Sequence, residues 1–365
     1  MKKIIGRVEY EILEVIAEGG MGAVFKALMK GANGFEKVVA IKTLLNCYSK
    51  DKRFINRFID EAKLVANLIH ENIVQIYQLD RYMDEYYFVQ EYVDGITLND
   101  FLEFLRIAKT RIPVKLAVFI AMNVARALAY AHSRYGCDGR PLNIVHCDVC
   151  SHNILINTEG VVKLTDFGVA RAVTVKERNS YSGKLPFMSP EQVKKQSLDF
   201  RSDIYSLGVV LFNMLSGGKP CRHLNVHLHE IILQAQQNYI DWDLLPKKLD
   251  EELLAILHCM LATEPEKRYP STAKTMKKLE QYILRRGNVP TIVTLAKYMR
   301  HEMPALFEGK PEYQKNGVNG FSGGEEEILK TLKIPRSSVP EQDPGRLSKT
   351  RPMNVKELFT AGAQR

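Results

Sequence analysis

Two short runs constrain this chain more than any other feature. The first, residues 144–155, reads Ile-Val-His-Cys-Asp-Val-Cys-Ser-His-Asn-Ile-Leu; the second, residues 162–168, reads Val-Lys-Leu-Thr-Asp-Phe-Gly. Apolar residues flank the polar ones in both, and Glu159-Gly160 between them is a turn signal, so the pattern predicts a hairpin of two short strands. Asp148 and Asn153 stand at its entrance and Asp166 at its exit. Two carboxylates and an amide then converge near one point. Such a set can hold magnesium and align a hydroxyl for attack on a phosphoryl group.

Upstream segments fit the same chemistry. Tyr10 to Ile16 alternates apolar and polar residues, as a strand does, and runs into Ala17-Glu18-Gly19-Gly20-Met21-Gly22-Ala23-Val24-Phe25-Lys26. A glycine-rich hairpin there can bring backbone N–H groups close to phosphates, because no side chain intervenes. Val38-Val39-Ala40-Ile41-Lys42 is a β-branched run ending in one lysine, suited to pairing with phosphate oxygens once a carboxylate fixes it. In the segment 53–66, Phe54, Phe58 and Val65, followed by Ile69, recur at helical spacing, and Glu61 lies among them. Leu116, Ile120, Val124, Leu128 and Ala131 mark a long helix from Pro113 to His132, ahead of the first run.

Taken together and in order, these segments resemble protein kinases, in detail the bacterial Ser/Thr kinases of the eukaryotic-like type. The catalytic-loop pattern, Asp-Phe-Gly, Gly-Gly-Met-Gly, Met188-Ser189-Pro190-Glu191-Gln192 and Asp203-Ile204-Tyr205-Ser206-Leu207-Gly208 carry the resemblance, which spans about residues 8–285. It implies an α+β, bilobal fold: a β-rich N-lobe with one main helix (about 8–93) and a mainly helical C-lobe (about 94–285). It further implies that Mg·ATP binds between the lobes. Ala17, Gly19, Gly22, Val24, Ala40 and Leu155 would line the nucleotide site, and backbone groups of Glu91 and Val93 would meet the adenine. Lys42 would orient the phosphates with Glu61 as its partner, Asn153 and Asp166 would hold magnesium, and Asp148 would accept the proton of a Ser/Thr hydroxyl. Arg268 would pair with Glu191. The substrates so implied are proteins.

Four positions depart from the family pattern. Ala17 replaces the first loop glycine, and Cys147 replaces the arginine that receives an activation-segment phosphate, here at Thr174, Ser180 or Ser182. Cys150 stands where a lysine commonly neutralises the migrating phosphoryl group, and Lys184 replaces a threonine. These changes leave open a pseudokinase scaffold that binds ATP weakly or not at all and regulates a partner. The pair Cys147 and Cys150 also suggests a redox-sensitive site.

Composition sets outer limits. With 365 residues, 45% hydrophobic and 25% charged, the chain suits a globular protein with a sizeable core. Its net charge of +9 is spread along the chain, with no basic block of the kind nucleic-acid binding uses. Six scattered cysteines suit a reducing compartment, and no apolar run of membrane length stands out, so a cytoplasmic location is expected. Pro290 to Phe307 predicts a short docked helix within 286–308. From 309 to 365 Gly, Pro, Ser and charge dominate, which predicts disorder; Glu325–Leu332 and Val355–Phe359 are segments that could fold on a regulatory protein partner.

Overall fold

The structure is a computed structural model of the chain and describes residues 9–18, 22–44, 51–82, 85–136, 138–167, 185–223, 226–308 and 353–354. Gly19, Lys184 and the hydroxyls of Thr174, Ser180 and Ser182 lie outside the described residues, as does the tail from 309 except for its two-residue strand. The chain divides into two compact units, one of residues 1–67, 75–92 and 330–365, the other of residues 68–74 and 93–329.

The first unit is an antiparallel sheet with a helix. Strands β1 (Glu9–Glu18), β2 (Gly22–Lys30) and β3 (Glu36–Leu44) are followed by helix α1 (Lys52–Ala66), β4 (Ile76–Tyr82) and β5 (Glu85–Glu91). The sheet order is β4-β5-β3-β2-β1, with Met353–Asn354, the ninth strand of the chain, paired beside β1. Register decides which residues share a face, because side chains alternate along each strand. Phe25, Ile41 and Val89 are cross-strand neighbours and sit in a core with Ile12, Ala23, Ala27 and Val39. Val24, Lys42 and Phe88 are neighbours one position over, so they point to the opposite face. Helix α1 covers that face: Phe54, Phe58, Ala62 and Val65 are buried, and the Phe58 ring lies 4.7 Å from that of Phe88. Ile69 does not extend this stripe. Helix α1 ends at Ala66, and Ile69 is 74% exposed while Leu68 is buried.

The second unit is mainly helical. A three-stranded sheet, β6 (Gly95–Thr97), β7 (Ile154–Asn157) and β8 (Val162–Leu164), lies among α2 (Leu98–Ile107), α3 (Val114–His132), α4 (Pro190–Val193), α5 (Phe200–Leu215), α6 (Leu228–Gln236), α7 (Glu251–Met260), α8 (Thr272–Arg285) and α9 (Ile292–Glu302). Helices α3 and α5 are apolar nearly all round, as helices enclosed by others must be. Every residue of α5 from Ser202 to Leu215 is buried, and α3 packs on both α5 and α8. Among the described residues α3 is the one helix long and apolar enough to cross a membrane, and 72% of that stretch is buried inside the protein.

Candidate active site

In the first unit, the alternation that sends Ile41 into the core puts Lys42 on the α1 face. Its Nζ lies 3.2 Å from Glu61 Oε1 and 5.4 Å from the centre of the Phe88 ring. Glu61 follows Phe58 by one turn, so the apolar stripe that docks α1 carries the carboxylate inward with it; its side chain is 3% exposed. Val24 and Ala40 share the face of Lys42, and Ala17 pairs with Val24 across β1 and β2. At Gly22 a Cβ would come within 2.3 Å of Thr43 O, so close strand pairing alone requires glycine there. Glu91 ends β5, and its N–H donates to Gln75 O at 2.8 Å. Val93 belongs to the second unit.

In the second unit the catalytic run and the hairpin are bonded into one piece. Asn153 Nδ2 donates to Asp148 Oδ2 at 2.8 Å and to Asp148 O at 2.9 Å. The Thr165 N–H donates to Asn153 O at 2.9 Å, which draws the residue before Asp166 onto Asn153. Two of the residues hold left-handed backbone, Cys147 at φ +61° and Asp166 at φ +60°. Such conformations are costly outside glycine and persist where surrounding bonds over-determine them. His146 supplies some of those bonds. Its Nδ1 accepts the Asp148 N–H at 3.2 Å, its Nε2 meets Thr165 O at 3.0 Å, and its ring lies 4.5 Å from that of Phe167. Burial holds the His146 imidazole below its ordinary pKa, so the ring is neutral with its proton on Nε2.

Asp203, His132 and Gln192 complete the scaffold in roles that sequence reasoning missed. Asp203, in the first turn of α5, accepts the N–H of His146 at 2.7 Å and of Cys147 at 2.8 Å, and His132 Nε2 lies 2.8 Å from its Oδ2. The signal was present: a fully buried helix containing one aspartate must satisfy that carboxylate. Gln192 Nε2 donates to Cys147 O at 2.8 Å. Glu191 takes two bonds from Arg268, at 2.6 and 2.9 Å, and one from Ser202. Burial alone would raise the Glu191 pKa; the Arg268 bonds outweigh it and hold the carboxyl below the usual range. Arg222 is fully buried. It donates to Pro186 O, Met188 O and the Tyr205 hydroxyl, so a side chain that the motifs did not mark ties down the 185–188 turn.

Cys150 is fully buried and Cys147 is 4% exposed, and both are free thiols. The Cys150 side chain supplies no positive charge to the site, and burial restricts oxidant access to both thiols. Leu155 sits half-buried in β7. Asn153 uses Nδ2 for both of its bonds to Asp148, so its Oδ1 is a hard oxygen donor at one end of the hairpin, and Asp166 supplies a carboxylate at the other. That donor chemistry fits magnesium.

The chain matches the protein kinase domain family over residues 10–283. It is 36% identical over 281 residues to the tyrosine-protein kinase MasK of Myxococcus xanthus, covering 75% of this chain and 43% of the relative. It is 40% identical over 222 residues to the serine/threonine-protein kinase PrkC of Bacillus subtilis, covering 60% and 32%. Against the serine/threonine-protein kinase PknB of Mycobacterium tuberculosis it is 32% identical over 281 residues, covering 73% and 41%. The chain thus spans less than half the length of these relatives. The solved kinase domain of Mycobacterium tuberculosis PknI shares the fold, with a TM-score of 0.57 at 23% identity, covering 75% of this chain and 96% of that one. The chain belongs to the protein kinase family.

Proposed function

We propose that this chain is a serine/threonine kinase that transfers the γ-phosphoryl group of Mg·ATP to protein hydroxyls. The observation that carries the reading is the bonded set of Asp148, Asn153 and the Thr165-Asp166 segment, in which Asn153 Nδ2 holds the Asp148 carboxylate and the Thr165 N–H donates to Asn153 O. In the first unit, Lys42 held by Glu61 would orient the α- and β-phosphates. In the second, Asn153 and Asp166 would hold magnesium, which supplies charge neutralisation on the phosphates. Asp148 takes the proton of the acceptor hydroxyl as the oxygen–phosphorus bond forms and ADP leaves. The relatives named serine/threonine-protein kinases support the choice of acceptor, although MasK is named a tyrosine kinase.

The test is radiolabelled ATP with a generic protein substrate, followed by phosphoamino-acid analysis. Asp148→Asn should abolish transfer while nucleotide binding persists, and Lys42→Met should weaken both. Near-normal transfer by Asp148→Asn would refute its role, and phosphotyrosine as the product would refute the acceptor. One observation favours a second reading, a scaffold without transferase activity: the buried Cys150 leaves the phosphoryl group without the positive charge commonly found there. Nucleotide binding without transfer by the parent protein would select that reading. A cytoplasmic site of action is part of the proposal, supported by the four described cysteines being free thiols. Regulation through a partner of the C-terminal tail is proposed on the tail's composition alone.

A further inference from the structure

We propose that helix α9, which lies beyond the residues matched to the kinase family, is a positioning element of the active site: its first turn fixes the tip of the β7–β8 hairpin and, through it, Asn153 and Asp166. The proposal rests on the kinase reading of that hairpin. All the residues involved belong to the second unit.

The contact is backbone against backbone. Gly160 forms the hairpin turn at φ +83°, and a Cβ there would lie 1.9 Å from Ile292 O and 2.9 Å from Ala296 N. No side chain could stand there without moving the helix or the turn. The start of α9 is itself fixed, because the Thr291 hydroxyl accepts the N–H of Thr294 at 3.2 Å and the Thr294 hydroxyl accepts that of Thr291 at 3.3 Å. The rest of the helix is seated on the elements flanking the hairpin. Leu295, Tyr298 and Met299 are buried, and the Tyr298 ring meets that of Phe101 in α2 edge-on at 6.1 Å. Tyr298 donates to Arg111 O at 3.1 Å, and Thr110 donates to Glu302 Oε2 at 3.1 Å. Lys115 of α3 donates to the carbonyls of Arg286 and Gly287, which fixes the link between α8 and α9.

The hairpin is otherwise held along its strands. Strand β7 pairs with β6, and β8 exchanges bonds with Asn72 and Val74. At the tip, Thr158 donates to Asp94 O at 2.9 Å, and the other neighbour is the first turn of α9. Between tip and Asn153 lie only the four residues of β7 and the turn, and strands transmit displacement along their length. A shift of about 1 Å at the reacting groups costs roughly a hundredfold in rate. An appended helix pressed on that tip therefore has purchase on the metal-holding residues without touching substrate.

Three variants of the full chain test this, with Tyr298→Phe and Leu295→Ala loosening α9 and Gly160→Ala pushing on the contact. The readouts are kcat, KM for acceptor peptide, the Mg²⁺ dependence of the rate, and hydrogen exchange at residues 154–164. Leu295→Ala should lower kcat roughly tenfold and raise the Mg²⁺ concentration needed, at unchanged peptide KM; Tyr298→Phe should do so about threefold. Gly160→Ala should lower kcat further, and its penalty should shrink when combined with Leu295→Ala, since a loosened helix makes room for the methyl. Exchange at 154–164 should quicken in both α9 variants while that of α5 is unchanged. Folded Tyr298→Phe and Leu295→Ala proteins with kcat and Mg²⁺ dependence within about twofold of the parent would overturn the proposal. So would a Gly160→Ala penalty indifferent to Leu295→Ala. If the parent transfers no phosphate, the kinase reading fails by itself, and unchanged exchange at 154–164 in the α9 variants would still overturn the link.

Discussion

Asp203 Oδ1 accepts the backbone N–H of Cys147 at 2.8 Å, and Cys147 is held there at φ +61°. Cys147 is the residue immediately before Asp148, so the carboxylate of a buried helix sets the backbone that aims the aspartate proposed as the base. The same carboxylate takes the N–H of His146 and faces His132. Strain in one residue and pairing in the next are thus both charged to one side chain.

Asp203→Asn should therefore damage catalysis more than its size suggests. An amide keeps one acceptor oxygen and turns its NH2 donor toward a backbone N–H that needs an acceptor. We expect kcat to fall on the order of a hundredfold with KM for ATP little changed, and stability to fall by about 1–3 kcal/mol. Urea unfolding beside steady-state kinetics separates the two; a variant with normal kcat would show that the loop holds its shape without the carboxylate.

Arg222 yields a prediction about the acceptor. Its Nη1 takes the carbonyl oxygens of Pro186 and Met188, and its buried Nε has no partner among the described residues. Arg222→Met keeps much of the volume and releases those carbonyls. KM for acceptor protein should rise about tenfold while KM for ATP holds, since the released turn precedes the closing Ser-Pro-Glu segment and not the β7–β8 hairpin. Equal changes in both constants would place the effect in general destabilisation. Lysine at this position has one point charge where the guanidinium has a fork, so Arg222→Lys should recover only part of the loss.

What could be read in advance divides by physical kind. The pairing of Lys42 with Glu61 and of Asn153 with Asp148 was legible because the chemistry proposed for them demands particular groups in a particular order. The long helix was legible because Leu116 to Ala131 must lie against other helices, and all five marked positions are buried. Ile69 misled because its spacing continued the α1 stripe, whereas the chain had already left the helix and buried Leu68 instead. That Asp203 must be satisfied was legible from its buried helix, but which groups satisfy it was not, and Arg222 carried no mark at all: most of their partners are backbone atoms of distant segments, which leave no trace in residue identity. Gly160 shows the same limit, since its turn was evident but its contact with Ile292 was not.

Burial also decides the cysteine question. Cys147 and Cys150 are 4% and 0% exposed, so reagents reach them only when the loop opens. Iodoacetamide on the native protein, mapped by mass spectrometry, should leave both unmodified under conditions that alkylate them fully in urea. Mild peroxide should leave kcat within about twofold, as burial keeps the oxidant from both sulfurs. Rapid native labelling of Cys150, with activity lost in step and restored by reductant, would reinstate a redox-sensitive site.

Acid should unfold the second unit in two stages, and the order follows from two buried groups. His146 has its pKa lowered, chiefly by burial, from the ordinary histidine value of 6.5. Protonating it would put a hydrogen on Nδ1, where the Asp148 N–H already donates. The unfolded chain then binds a proton that the folded one refuses, so stability is full above the unfolded value and falls as pH drops below about 6.5. Glu191 acts lower down. Burial pushes its pKa up, the bonds from Arg268 and Ser202 push it down by more, and the net is below the ordinary glutamate value of 4.5. Its contribution is present above the unfolded value and disappears as pH falls through the folded one. Urea midpoints across a pH series should show the first decline in the parent and a shallower one in His146→Asn, while Glu191→Gln should flatten only the second. The His146→Asn comparison is required because half-buried His70, also lowered by burial, declines in the same direction. Parent and His146→Asn curves that stay parallel from neutral pH downward would mean that His146 accepts its proton in place, and that the bond it receives from Asp148 does not hold the ring neutral.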